Sequence, residues 1–318
     1  MSIEGGGKAG PFGWHSPRYN APVHEQMTIA ALIQSEYRLD STITFTTLRD
    51  HPTARPDIND FVRGVIWNDD PECELFDEDS NNNLSYSTGA IWSAKFGLGY
   101  ISANAEKSEL IGRSHFGDLQ WLHSMSSKSG EFPIDTKKKV LRWMETMYKL
   151  AIGATNGDSP IQNTWMQDWF YDPSHYTTIG RLLTHGHAGP ANFQHRALGS
   201  CFHIIQDSYA LGHTRREPLK SGENIKYKRA ILNFHTYGGQ SHDHAIYDHS
   251  SNGSVENLNL NSLDSWNGLV GCREGLEACI ALANYWNRKA SWEEVSVWLE
   301  TVVFELSRDA TPGDNTVT

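Results

Sequence analysis

The feature that most constrains the fold is a set of long segments whose apolar residues recur at helical spacing. In residues 135–154, Val140, Trp143, Met147 and Leu150 make one stripe, because positions three or four apart lie on the same face of an α-helix. A chain with such stripes buries them by packing helix against helix. The same spacing predicts further helices over residues 24–39, 192–211, 275–289 and 291–308.

The remainder of the sequence predicts a single all-α domain. Runs typical of β-strands are few, and no strand–helix alternation, internal repeat or glycine-rich phosphate loop occurs in the sequence. We therefore expect one multi-helix domain over 14–308. A flexible glycine-rich segment, 1–13, precedes it, and a flexible tail, 309–318, follows it.

The charge of the chain limits the partners that can be expected, and its cysteines indicate the redox state of its thiols. Among 318 residues, 27 are Lys or Arg and 38 are Asp or Glu, which gives a formal net charge of −11. No stable nucleic-acid complex is expected of such a chain, and an anionic substrate needs positive charge supplied locally, as metal ions do. Cys272 and Cys279 lie seven residues apart in a predicted helix, too far for a disulfide, so reduced thiols are expected.

The sequence also bears on location. No uninterrupted apolar run approaches the roughly 18 residues of a membrane-spanning helix, and the first residues lack the apolar region of a secretory signal. The expectation is a protein without a transmembrane segment, cytoplasmic as written, or secreted if the chain is a mature form.

Histidine and aspartate recur at ligand-like spacing around the segment "HIIQDSYALGH". His203 and Asp207 are four residues apart and so share a helix face, and His213 follows the predicted end of that helix. His244 and Asp248 repeat the four-residue spacing. Imidazole and carboxylate are ligands that suit Zn²⁺. A shared cation would also remove the cost of burying these groups beside Ile and Phe.

Further candidates lie upstream. His24 begins the first predicted helix, Asp69 and Asp70 follow "IWN", and His115 lies in "SHFGD". Each has an ordinary explanation as well, since the two aspartates can start a turn before Pro71 and a lone histidine is more often structural. Only the whole set favours a metal site.

Together these motifs resemble those of the zinc-dependent bacterial phospholipases C and the related single-strand-specific, three-zinc nucleases. The resemblance extends from about residue 14 to 250. Trp14 lies ten residues before His24, as in the phospholipases, and "IWND" favours Asp69 over Asp70. "SHFGD" favours His115 over His123. The ligands that the resemblance implies are Trp14, His24, Asp69, His115, His203, Asp207, His213, His244 and Asp248.

The resemblance implies a compact all-α fold and a zinc-dependent phosphodiester hydrolase, phospholipase C-like, with two or three Zn²⁺ ions. Asp69 would be both a ligand and the base for the attacking water, and Arg215 and Arg216 are candidates for contacts with the substrate phosphate. The sequence departs from the family because Trp14 is internal rather than first, which makes the third ion dependent on processing of residues 1–13. The gap between Asp69 and His115 is also longer than in the family.

Several functions remain open at this stage. The substrate would be a small-molecule or lipid-derived phosphodiester. A single-strand nuclease or 3′-nucleotidase is the alternative within the hydrolases. A biosynthetic lyase or cyclase on the same scaffold and a structural zinc protein are the alternatives outside them. The two arginines have an ordinary explanation too, a solvated charged turn.

Overall fold

The computed structural model describes residues 22–51, 55–72, 76–78, 84–86, 110–185, 191–218, 229–237 and 258–314. Three of the predicted ligands, Trp14, His244 and Asp248, lie outside the described residues, as does most of the long stretch between Asp69 and His115.

The described part is mainly helical, as predicted, with little strand. Its α-helices are α1 (Val23–Gln34), α2 (Phe45–Asp50), α3 (Pro56–Trp67), α4 (Leu110–Phe116), α5 (Pro133–Ala151), α6 (Gln167–Phe170), α7 (Ile179–Leu183), α8 (Phe193–Asp207), α9 (Cys272–Asn287) and α10 (Trp292–Trp298). Short 3₁₀ turns span Gln120–His123, Ile161–Asn163 and Leu263–Trp266, and a π-helical turn, Leu299–Val303, extends α10. Two antiparallel hairpins pair β1 (Phe76–Glu78) with β2 (Leu84–Tyr86) and β3 (Thr214–Arg216) with β4 (Ile231–Phe234).

Helix α8 is the central element, and it packs against α3, α5 and α9. Glycines allow the closest of these crossings. A Cβ atom on Gly64 would lie 2.1 Å from the carbonyl oxygen of Arg196, and one on Gly199 would lie 2.3 Å from that of Phe61. Because neither glycine has a side chain, the backbones of α3 and α8 touch. This crossing brings the end of α3, where Asp69 follows, close to His203.

The ends of α8 are defined by polar contacts. The side chain of Asn192 accepts a hydrogen bond from the backbone N–H of His195 and caps the first turn. The helix ends at Asp207, four residues before the predicted end at 211. At that point the carbonyl oxygen of Ser208 accepts hydrogen bonds from the Thr214 hydroxyl and the Arg216 guanidinium. These bonds hold the Ser208 carbonyl outside the helical hydrogen-bond pattern.

The C-terminal residues differ from the expected flexible tail. The backbone N–H of Thr311 donates to Leu232 and that of Gly313 to Glu131, while the Asp314 carbonyl accepts from Thr236. Residues 311–314 are therefore fixed along β4, and 315–318 lie outside the described residues.

Two other expectations can be compared with the structure. Cys201, Cys272 and Cys279 are buried free thiols, as expected. Among the described residues, no helix is both long and apolar enough to cross a membrane.

Candidate metal centre

Four separate segments bring ligand-type side chains together in the interior. All of these side chains are buried, with at most 4% of their surface exposed. Helix α1 provides one histidine, the turn after α3 an aspartate, a 3₁₀ turn a second histidine, and α8 with its following loop the remainder. We call this group the His–Asp cluster; its members are His24, Asp69, His123, His203, Asp207 and His213.

Asp207 is the centre of the cluster. Its Oδ2 atom lies 2.8 Å from His203 Nε2, 3.1 Å from His123 Nδ1 and 3.6 Å from His213 Nδ1. Its Oδ1 atom lies 3.4 Å from His24 Nε2. One carboxylate therefore has four imidazoles around it, brought from widely separated parts of the chain.

Asp69 adds a second carboxylate on the α3 side. Its Oδ1 is 3.7 Å from His123 Nδ1, and its Oδ2 is 3.9 Å from His203 Nδ1. Two sets of three residues each place their ligand atoms within 4.8 Å of one another: His24, His203 and Asp207 in one, and Asp69, His123 and His203 in the other. His203 belongs to both sets, but it can offer only Nε2 to an ion because its Nδ1 faces the Val65 carbonyl.

Backbone carbonyls determine which ring nitrogen carries the proton in several of these histidines. A carbonyl oxygen can only accept a hydrogen bond, so an Nδ1 atom facing it must be protonated and Nε2 carries the lone pair. Histidines that bind metals usually have this arrangement. The contacts are His203 to the Val65 carbonyl (2.6 Å), His213 to the His123 carbonyl (2.7 Å) and His115 to the Ile111 carbonyl (2.8 Å).

The pKa values of the cluster favour an ionised carboxylate at Asp207 and neutral rings at His24 and His123. Burial lowers the pKa of both His24 and His123 well below the ordinary histidine value. For Asp207, burial opposes ionisation, but the facing imidazoles of His203 and His213 outweigh it and hold the pKa well below the ordinary value. Burial also opposes the charged form of His203, yet the charge of Asp207 raises its pKa overall.

These features fit a divalent cation. The Nε2 atoms of His24 and His123 are buried and have no hydrogen-bond partner among the described residues. An unpaired polar atom in the interior costs on the order of 1–3 kcal/mol, and a bound cation removes that cost at several atoms at once. Imidazole with carboxylate is a ligand set for Zn²⁺ and related ions.

The structure places His123, rather than the predicted His115 of "SHFGD", among the clustered ligand atoms. His115 is buried and its ring centroid lies 4.9 Å from that of His123, but it belongs to neither set of three ligand atoms. His123 belongs to one of them and reaches Asp207 directly. The preference for Asp69 over Asp70 agrees with the structure, because only Asp69 is in such a set.

The two arginines predicted to contact phosphate differ in their surroundings. The Arg216 guanidinium donates to the carbonyl oxygens of Ser208, Arg229 and Val303 and lies 3.9 Å from the centre of the Tyr209 ring. Burial lowers its pKa to about 10. Arg216 thus joins three segments of the fold, and its predicted contact with the substrate phosphate stays a prediction.

Arg215 points to the opposite face of β3 and is half-buried. No hydrogen bond or ion pair involves its guanidinium in the described part of the chain, and its Nε atom is buried. Its predicted contact with substrate stays a prediction.

One further carboxyl group lies beside the cluster. Glu25, next to His24 on α1, is 2% exposed, and its Oε1 atom has no hydrogen-bond partner in the described structure. Burial, together with the charge of Asp69, raises its pKa to about 7. Its carboxyl group is therefore partly protonated near neutral pH.

Comparisons with protein families, with curated proteins and with solved structures find no match for this chain. The class of protein is defined here by fold and site alone. It is a mainly helical protein whose interior holds a His–Asp cluster that could bind a metal ion.

Proposed function

We propose that this protein is a metal-dependent phosphodiester hydrolase, with Zn²⁺ as the ion that its ligands favour. The observation that carries the proposal is the convergence of four imidazoles on the buried carboxylate of Asp207. A structural zinc site usually needs only four ligands, whereas the cluster offers more, on two sides of His203. The motif resemblance to three-zinc phospholipases and nucleases supports the same function. Under this proposal Trp14, His244 and Asp248 complete the ligand set.

Divalent ions in such a centre neutralise the non-bridging oxygens of a phosphodiester, lower the pKa of water and stabilise the leaving oxygen. Positive charge at the site is needed because the protein carries a formal net charge of −11.

The chain's own residues have distinct roles in this proposal. Asp207 and His203 hold the centre together, since they contact each other at 2.8 Å and His203 belongs to both sets of ligand atoms. Asp69 lies farther from the histidines than Asp207 does, at 3.7 and 3.9 Å. We assign it the orientation and deprotonation of the attacking water. Arg215 supplies a cation for a phosphate oxygen.

Metal analysis and a hydrolysis assay test the proposal together. Purified protein should contain zinc and hydrolyse bis(p-nitrophenyl) phosphate, and a chelator should remove both properties until zinc is restored. His203→Ala should abolish hydrolysis. His195→Ala is the matched control, because His195 lies on the same helix outside the cluster. Substoichiometric metal together with chelator-insensitive activity would overturn the proposal.

The same assay separates the alternatives. Zinc that is retained without hydrolysis of any phosphodiester indicates a structural metal protein or another metal chemistry. Comparing choline phosphodiesters with single-stranded DNA distinguishes a phospholipase-like substrate from a nuclease substrate, and the absence of a general attraction for nucleic acid favours the former.

A further inference from the structure

Gln206 connects the two helices that carry His24 and Asp207. Its side-chain oxygen Oε1 lies 2.6 Å from His24 Nδ1, and its Nε2 donates to the Thr28 hydroxyl at 3.1 Å. All three side chains are buried, and Thr28 lies one turn after His24 on α1. Gln206 immediately precedes Asp207, so one short piece of α8 contacts His24 on both of its ring nitrogens.

This contact determines the protonation state of His24. The Gln206 amide donates from Nε2 to the Thr28 hydroxyl and presents its oxygen to the imidazole. An amide oxygen can only accept, so Nδ1 of His24 carries the hydrogen. The lone pair is then on Nε2, which lies 3.4 Å from Asp207 Oδ1.

His24 differs in this respect from the other histidines of the centre. His203 and His213 are oriented by backbone carbonyls, which no substitution removes. His24 depends on a side chain. A neutral amide is also a weaker acceptor than the carboxylate often found behind metal-binding histidines, so it makes the imidazole a weaker donor to the metal.

We propose that Gln206 is a positioning residue that selects the tautomer of His24 and sets the affinity of the ion held between His24 and Asp207. It does so without contacting that ion. The ion on the Asp69 and His123 side is governed separately, because neither of those residues contacts Gln206 in the described structure. This inference rests on the proposed metal centre.

Two substitutions of Gln206 have opposite expected effects on the full-length protein. Gln206→Leu removes the acceptor and should weaken the binding of one zinc ion by about 10- to 100-fold, while the affinity of the other is unchanged. Gln206→Glu supplies a stronger acceptor and should keep or tighten that ion. Gln34→Leu, a glutamine substitution on α1 away from the centre, is the control and should change neither. Zinc titration against a competing chelator measures each affinity.

The tautomer of His24 provides a readout that does not need metal. In metal-free protein, ¹⁵N NMR of the imidazoles should show Nδ1–H at His24 in the wild type and a mixture of tautomers in Gln206→Leu. If that variant does not fold, Thr28→Val frees the amide to rotate and should shift the tautomer in the same direction. An Nε2–H tautomer in the wild type, or a variant with unchanged tautomer and unchanged zinc affinities, overturns the inference. A wild type that binds no metal instead overturns the proposed function.

Discussion

The two ends of helix α8 bury similar kinds of side chain in different ways. At the N-terminal end, Arg196 is 1% exposed, and its Nε donates to Asp60 Oδ1 at 2.8 Å while a second nitrogen donates to the Leu183 carbonyl. The charge of Arg196 is thus paired with the carboxylate of Asp60. At the C-terminal end, Asp207 faces four imidazoles, and two buried ring nitrogens have no hydrogen-bond partner among the described residues.

The two histidines of α8 show the same difference between the two ends. His195 donates from Nδ1 to the Asp57 carbonyl at 2.8 Å, and its ring stacks on Phe61 with centroids 3.9 Å apart. His203 also donates from Nδ1 to a carbonyl, but its Nε2 faces Asp207 at 2.8 Å. Donation from Nδ1 to a backbone carbonyl therefore does not distinguish a structural histidine from a candidate ligand. The surroundings of the second nitrogen do.

The largest expected effect is a loss of catalysis when Asp207, at the centre of the cluster, loses its charge. Asp207→Asn keeps the shape of the side chain but removes the carboxylate that four imidazoles share. Zinc content should fall, and the rate of phosphodiester hydrolysis should fall by on the order of 10³-fold, equivalent to about 4 kcal/mol. Asp60→Asn, at the other end of α8, should keep the activity per folded molecule. Full activity in Asp207→Asn would show that catalysis does not depend on the charge of Asp207, and the two ends of α8 would then not differ in function.

The next largest effect is expected on stability, at the N-terminal end of α8. Asp60→Asn leaves the buried Arg196 guanidinium without its charged partner, and should lower the free energy of unfolding by about 3–5 kcal/mol. Replacing both residues with apolar ones, Asp60→Leu with Arg196→Met, should recover much of that loss. Denaturant unfolding of metal-free protein measures both. A single substitution without effect would show that the pair is not needed by the fold.

Metal removal should have a somewhat smaller effect on stability. A ligand that binds only the folded state stabilises it by about 2.7 kcal/mol when its free concentration is about a hundred times the dissociation constant. Thermal unfolding of the wild type should therefore shift downward after chelation, and that of Asp207→Asn should not. An equal shift in both proteins would place the metal elsewhere than at the cluster.

The sequence predicted those parts of the centre whose geometry is local. The four-residue spacing of His203 and Asp207 places them on one face of a helix, and His213 returns to the same carboxylate after the helix ends. His123 was passed over in favour of His115, since the short 3₁₀ turn in which His123 lies shows no ligand pattern of its own. Its place depends on packing, including the contact of its own carbonyl with His213, and no spacing within its segment indicates that.

The hairpin of β3 and β4 shows a second limit of prediction from the sequence. "TRRE" has the charge pattern of a solvated turn, yet Arg216 is buried by the carbonyl oxygens of Arg229 and Val303, residues distant in the chain. The approach of α3 to α8 likewise depends on two glycines that meet only in the folded protein. Long-range contacts of this kind leave no periodic signal.

The smallest expected effect is the pH dependence of the structural histidine. Burial lowers the pKa of His195 below its ordinary value of 6.5, so the folded protein favours the neutral ring. The stability from this residue is thus fully present above the unfolded-state pKa of 6.5 and is lost as the pH falls from there through the lowered pKa of the folded state. His195→Gln keeps a side-chain donor for the Asp57 carbonyl but cannot be protonated in this range. The difference in unfolding free energy between wild type and variant, measured without metal, should therefore change in favour of the variant between pH 7 and pH 5 by about 1 kcal/mol or less. A difference that stays constant over this range would show that His195 has the same pKa in the folded and unfolded protein, so that burial does not favour the neutral ring.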